Sequence, residues 1–134
     1  MTVPTLLLSG TVGVGKSTIG GEIADLLAEL EIPNAFVDLD AVIWQWPSTS
    51  KWNNDLMFSN LSSLWPNFAA HGSTHLVLAR VLEDPTDLDR YRQAVPGAEI
   101  TVCRLVADED VRRDRLHRRM QPGRLLDWHL HRTV

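Results

Sequence analysis

Glycines at positions 10, 13 and 15, followed by Lys16 and Ser17, constrain this chain more than any other feature. The segment Gly10-Thr11-Val12-Gly13-Val14-Gly15-Lys16-Ser17 fits G-x-x-x-x-G-K-[ST], the pattern of a phosphate-binding loop. Glycine lets the backbone turn tightly and approach a phosphate with no Cβ in the way. Successive N–H groups then converge as an anion nest. Lys16 brings a positive charge to the β- and γ-phosphates, and the Ser17 hydroxyl is a ligand for Mg²⁺. A helix starting near Lys16 would aim its positive end at the same anion. The pattern therefore predicts a nucleotide's phosphates and Mg²⁺, held by Gly10, Thr11, Gly13, Val14, Gly15, Lys16, Ser17 and Thr18.

The flanking sequence agrees with that loop. Val3 to Ser9 is a short apolar run suited to a buried strand. Ile19, Ile23, Leu26, Leu27 and Leu30 recur at helical spacing, and Pro33-Asn34 ends that helix near Glu31-Ile32. Strand, glycine loop and helix stand in the required order. The competing reading is a glycine-rich turn with an incidental lysine.

A chain of 134 residues, 44% hydrophobic and 22% charged, is one domain with enough apolar material for a core. The net charge of −4 argues against a dedicated nucleic-acid binder. Its distribution is uneven: residues 1–99 carry 5 basic and 12 acidic side chains, and residues 100–134 carry 8 and 5. The single cysteine, Cys103, excludes an internal disulfide and a cysteine-based zinc cluster. The N-terminal apolar run has no basic flank and is too short to span a membrane. A cytoplasmic location and no membrane partner are expected.

Ala35 to Asp40 reads as a second strand ending in two acids. Parallel strands present ligands at their carboxyl ends, so Asp38 and Asp40 are expected beside the phosphate loop. Strand alternation sends both side chains the same way. One is a candidate base for a substrate hydroxyl and one a candidate for the Mg²⁺ shell; a turn-capping pair is the alternative. Trp44, Trp46 and Trp52 lie in an aperiodic stretch from Ala41 to Asn54, which reads either as a substrate wall or lid or as local ring packing. Met57, Leu61, Leu64 and Phe68 mark an amphipathic helix that Pro66 breaks or kinks. His71 and His75 read as surface or strand-edge residues. Leu76 to Leu82 is the third strand, apolar except for Arg80, a charge that needs a partner: an anionic substrate group, or Asp38 and Asp40. Asp84-Pro85-Thr86-Asp87 reads as a helix start with Asp84 as N-cap, and that helix runs to about Ala94. Glu99 to Val106 is the fourth strand. An arginine-rich helix follows from Asp108, carrying Arg112, Arg113, Arg115, Arg118 and Arg119.

Taken together, the strand and phosphate loop, the Asp-x-Asp strand end, the Arg80 strand and the arginine-rich helix resemble the small P-loop kinases. That group includes nucleoside monophosphate, shikimate, gluconate and adenylylsulfate kinases and chloramphenicol phosphotransferase. The resemblance implies a three-layer α/β P-loop NTPase fold over residues 1–134, with parallel strand order 2-3-1-4. It implies phosphoryl transfer from ATP to a small-molecule acceptor, with Lys16, Asp38, Asp40, Arg119 and Arg124 catalytic. Ser17 and Asp38 would hold Mg²⁺, and Asp38, Asp40, Arg80 and Arg132 would face the acceptor, to which the tryptophan-rich stretch adds Trp44. A mobile lid is implied near residues 116–128. The chain departs from the pattern at two places. Arg80 stands where a second Mg²⁺-binding acid is expected, and the chain stops where relatives continue into a fifth strand. With that fifth strand missing, an exposed sheet edge would favour self-association into a homo-oligomer. Two further readings compete: an NTPase switch, which lacks the guanine-selecting Asn-Lys-x-Asp segment, and a non-catalytic nucleotide-binding remnant.

Overall fold

A computed structural model of the chain describes residues 1–11 and 14–106. Among these residues, four parallel strands form one sheet: β1 (Val3–Ser9), β2 (Asn34–Asp38), β3 (His75–Ala79) and β4 (Ala98–Arg104), in the order β2-β3-β1-β4. The expected order 2-3-1-4 is the one observed. Helix α1 (Lys16–Glu29) follows β1, α2 (Asn54–Ala70) links β2 to β3, and α3 (Asp87–Ala94) links β3 to β4.

Alternation along the strands builds the three layers. Val3 and Leu7 of β1, Ala35 and Val37 of β2, and Leu76 and Leu78 of β3 point to one face. There they pack on Met57, Phe58, Leu61 and Trp65 of α2 and on Tyr91 and Ala94 of α3. The opposite face receives α1. A Cβ added at Gly20 of α1 would lie 2.4 Å from the Phe36 ring of β2, so the helix reaches the strand only because position 20 has no side chain.

Several element ends differ from the sequence reading. The ladder between β2 and β3 ends at the pair Asp38 and Ala79. Beyond Asp38 the chain coils into a 3-10 turn, Leu39–Val42, which leaves the next residues of the third apolar run without a partner on that side. Asp40 and Arg80 therefore lie just past their strands. Helix α2 is continuous through Pro66. The proline removes one N–H bond in the last turns, and the buried face of Met57, Phe58, Leu61 and Trp65 holds the helix together across it. Helix α3 starts at Asp87, later than expected: Asp84 accepts from the Thr86 N–H at 2.9 Å and so caps the preceding turn. Helix α1 closes with Glu31 at φ 58, where the Glu31 and Ile32 N–H groups bond to the carbonyls of Ala28 and Leu27. The chain thus reverses before Pro33.

Candidate active site

The carboxyl ends of β1, β2 and β3 converge on one rim. At the end of β1, Gly10 has φ +146, and a Cβ there would meet Val14 Cγ1 at 2.7 Å and the Leu105 carbonyl at 2.8 Å. Only glycine fits. Gly15, at φ 98, is the N-cap of α1 and offers no capping side chain. The first turn of α1 also carries no acid, so the positive end of the helix faces the loop without a built-in counter-charge. Lys16 is buried, and its Nζ donates to the carbonyls of Gly10 at 2.5 Å and Thr11 at 3.3 Å. The ammonium is held over the mouth of the loop by the loop's own backbone. Of the loop positions expected to bind phosphate, Gly13 lies outside the described residues.

The two acids of the Asp-x-Asp segment separate. Asp38 ends β2 on the face that carries α1, and its Oδ2 accepts from Ser17 Oγ at 2.5 Å. Its other oxygen accepts from the Asp40 N–H at 3.1 Å, which fixes the carboxylate at both ends. Asp40 is not on a strand, so alternation does not govern it. The 3-10 turn carries it to the opposite face, where its Oδ1 accepts from Arg80 Nη1 at 2.8 Å. Thus the expectation that both side chains point the same way fails, because the strand stops between them. The serine hydroxyl and the Asp38 carboxylate form an all-oxygen pair of the kind that a hard divalent cation takes. The donor chemistry fits Mg²⁺.

Arg80 has found its partners inside the protein. Besides Asp40, its Nη2 donates to the Trp52 carbonyl and to Asn54 Oδ1, both at 2.8 Å. A short 3-10 turn, Lys51–Asn53, presents the Trp52 carbonyl, and Asn54 follows as the first residue of α2; Trp52 stands at φ 57 and Asn53 at φ 52. Two successive left-handed residues are costly, particularly at a tryptophan, and such strain concentrates at functional sites. Asn53 is a residue type that tolerates the left-handed region, but nothing in the segment marked Trp52 for it.

A cleft of about 760 Å³ runs from Thr11 and Lys16 past Asp40 and Arg80 to Tyr91. Met57, Phe58 and Tyr91 form its apolar floor, and the Phe58 and Tyr91 rings meet edge to face with centroids 4.8 Å apart. Burial pushes the Tyr91 hydroxyl well above the usual phenol range; nearby Arg80 opposes the shift, while Asp87 and Asp40 add to it. Lys51, Glu83, Asp84 and Asp87 stand along the cleft as well. The sequence reading missed them as site residues, since Asp84 to Asp87 carried only a helix-start signal. Trp52 lines this cleft. Trp44 and Trp46 line an adjoining recess with Asp40 and Ile43 and are each 91% exposed, so local ring packing is not what they do. His71 and His75 sit away from the rim and pair locally with the Asn67 carbonyl and the Thr74 hydroxyl. The arginines expected at the lid and beyond, Arg118, Arg119, Arg124 and Arg132, fall outside the described residues.

A parallel 2-3-1-4 sheet with a glycine loop between β1 and α1 is the fold of the small P-loop kinases. Solved structures bear this out. A gluconokinase from Sinorhizobium meliloti 1021 superposes with a TM-score of 0.55 at 22% identity, over 98% of this chain and 75% of that one. The adenylylsulfate (APS) kinase CysC of Mycobacterium tuberculosis, in complex with AMPPNP and APS, gives 0.59 at 18% identity, over 94% and 72%. A chain of the Pnkp1/Rnl/Hen1 RNA repair complex gives 0.56 at 16% identity, over 98% of this chain and 44% of that one. No protein-family model and no curated protein matches the sequence.

Proposed function

We propose that this chain is an ATP-dependent kinase that transfers the γ-phosphoryl group to a hydroxyl of a small molecule. The observation that carries the reading is the shared cleft. Lys16 of the phosphate loop and the Asp40–Arg80 pair line one cavity, so a donor phosphate and an acceptor hydroxyl would meet in it.

The roles follow from position. Lys16 exchanges the carbonyls of Gly10 and Thr11 for β- and γ-phosphate oxygens, while the loop N–H groups and the start of α1 cradle the same anion. Ser17 and Asp38 would hold Mg²⁺, which when bound would neutralise charge on the phosphate oxygens. Asp40, on the cleft side of the rim, accepts the proton of the acceptor hydroxyl. Phosphoryl transfer asks mainly for positioning and charge neutralisation, so a carboxylate with a fixed direction suffices. Arg80 supplies that direction and is a positioning residue. Trp44 and Arg132 are assigned to the acceptor, and Arg119 and Arg124 to the transferring phosphate on the family pattern alone. A small-molecule acceptor is preferred over nucleic acid because the chain carries a net charge of −4. A cytoplasmic location goes with the reading, as a compartment that supplies ATP. Among the described residues, no helix is long and apolar enough to cross a membrane.

The test is acceptor-dependent formation of ADP across a panel of hydroxyl compounds. Lys16→Ala should reduce turnover by roughly a hundredfold or more while leaving the circular dichroism spectrum unchanged. Undiminished turnover in that variant would remove the basis of the proposal.

A further inference from the structure

Tyr91 is the chain's only tyrosine and stands on α3 at the floor of the cleft, 3% exposed. Its ring is held from the side. The Phe58 ring meets it edge to face at 74°, and Phe58 is itself covered by the Arg90 guanidinium, 4.3 Å from its centroid. A phenol buried in this way usually finds a hydrogen-bond partner for its hydroxyl. Other buried polar side chains have theirs inside the protein: the Thr5 hydroxyl donates to the Val3 carbonyl, the Ser9 hydroxyl accepts from the Leu82 N–H, and Arg80 donates to three acceptors. The Tyr91 hydroxyl has none among the described residues. Nor is it sealed in, since the one fully enclosed side-chain polar atom without a partner among those residues is Asn53 Oδ1. The hydroxyl therefore opens to the cleft that its ring lines. Burial keeps it protonated, and the charges of Arg80, Asp87 and Asp40 all reach it, so it faces the cleft as a donor near the Asp40–Arg80 pair.

We propose that Tyr91 binds the acceptor: its hydroxyl donates to a second oxygen of that molecule, whose carbon skeleton lies on Met57 and Phe58 and whose reacting hydroxyl is turned to Asp40. The acceptor is then a compact hydroxyl compound with an apolar face and a further hydroxyl, ether or carboxyl oxygen. The ring is fixed by Phe58 before anything binds, so the donor is oriented in advance. An acceptor lacking the second oxygen would cover the hydroxyl and leave it unpaired, which costs affinity. The inference rests on the kinase reading, which puts the reacting hydroxyl at Asp40.

The experiment measures binding to the full chain with a non-hydrolysable ATP analogue at saturation, and transfer is assayed separately. The probes are pairs that differ by one oxygen-bearing group: phenylethanediol and phenylethanol, methoxybenzyl alcohol and benzyl alcohol, hydroxymethylbenzoate and benzyl alcohol, the cyclohexanediols and cyclohexanol. A heavy-carbon label at the hydroxyl-bearing ring carbon of tyrosine gives a single NMR signal, because Tyr91 is the only tyrosine. In at least one pair the member with the added oxygen should bind roughly fivefold or more tighter and should move that signal further than its counterpart does. Tyr91→Phe removes no hydrogen bond within the described protein. In that variant the margin should vanish, while the affinities for the poorer member and for the ATP analogue stay as they were. If the variant does not fold, the signal in the parent chain decides alone. Equal binding within every pair, a margin that survives in Tyr91→Phe, or a tyrosine signal that no probe moves overturns the inference; the last outcome leaves solvent as the hydroxyl's partner. The two readings fail separately. A Tyr91-dependent margin without phosphoryl transfer supports the acceptor contact and counts against the kinase. Transfer to a probe with the same kcat/KM in the parent and in Tyr91→Phe supports the kinase and overturns the contact.

Discussion

Replacing Arg80 with methionine tests how the rim is held together. The Arg80 side chain is 6% exposed, while that of Asp40 is 52% exposed. Three interactions are lost: the ion pair and the hydrogen bonds to the Trp52 carbonyl and Asn54 Oδ1. The ion pair is half in solvent, so screening limits it to about 1 kcal/mol, and water can take over the freed Asp40 carboxylate. The two part-buried acceptors cost roughly 1 kcal/mol each when their donor disappears. Removing the guanidinium also relieves its own desolvation, and methionine fills much of the space. The expected net loss is about 2 kcal/mol. With a urea m-value of about 2 kcal/mol/M for a domain of this size, the unfolding midpoint should fall by about 1 M. The left-handed Lys51–Asn53 turn should loosen at the same time, raising hydrogen exchange there before the sheet exchanges. A midpoint shift of less than about 0.25 M, within the range of ordinary surface substitutions, would refute the idea that Arg80 clamps the turn to Asp40.

Three further outcomes are expected. Asp38→Asn should raise the Mg²⁺ concentration needed for half-maximal turnover, while Asp40→Asn should lower turnover by roughly a hundredfold without moving that Mg²⁺ requirement; the reverse pattern would exchange their roles. Tyr91 is the only tyrosine, and burial first of all holds its pKa far above the phenol value of 10.0. The folded chain therefore keeps a proton that the unfolded chain gives up, so stability is fully present below about pH 10 and falls as pH rises beyond it; absorbance near 295 nm should show no tyrosinate until unfolding, and Tyr91→Phe should flatten the alkaline loss. Gly20→Ala places a Cβ 2.4 Å from the Phe36 ring and should cost about 1–3 kcal/mol, read from chemical denaturation, by forcing α1 and β2 apart.

What the sequence disclosed follows from which interactions are local. The phosphate loop was legible because its requirements lie within one short segment: glycines where a Cβ has no room, then Lys16 and Ser17 at the head of a helix. The apolar runs located all four strands for the same reason. Their ends were less legible. Leu76 to Leu82 stays apolar past Ala79, but a strand needs a neighbour, and β2 turns away at Asp38. That is a fact about a segment some forty positions distant in the chain, which hydrophobic periodicity does not encode. Pro66 misled for a related reason, since the packing of α2 against the sheet outweighs one missing hydrogen bond. The turn at Trp52-Asn53 carries no glycine, and its left-handed backbone is held by Arg80, another distant partner.

The separation of Asp38 and Asp40 has a mechanistic consequence of its own. A sheet rim has two sides, and alternation holds a side chain to one of them only while the strand lasts. Asp38, still on the strand, faces the α1 side and meets Ser17. Two residues later the 3-10 turn has rotated the backbone, and Asp40 meets Arg80 on the α2–α3 side. The Asp40 N–H nevertheless donates back to Asp38 at 3.1 Å, so the acids are tied through the backbone while their carboxylates meet different partners, Ser17 and Arg80. A cation bound at Ser17 and Asp38 would pull on the carboxylate that caps this turn, and any rotation of the cap moves Asp40 and Arg80 with it. In the proposed kinase, occupancy at Ser17 and Asp38 would bear on Asp40 through the short backbone link and this hydrogen bond. Had both acids stayed on the strand, as alternation alone predicts, they would face one pocket together, and the cleft floor at Tyr91 would have no carboxylate to present to an acceptor hydroxyl from that segment.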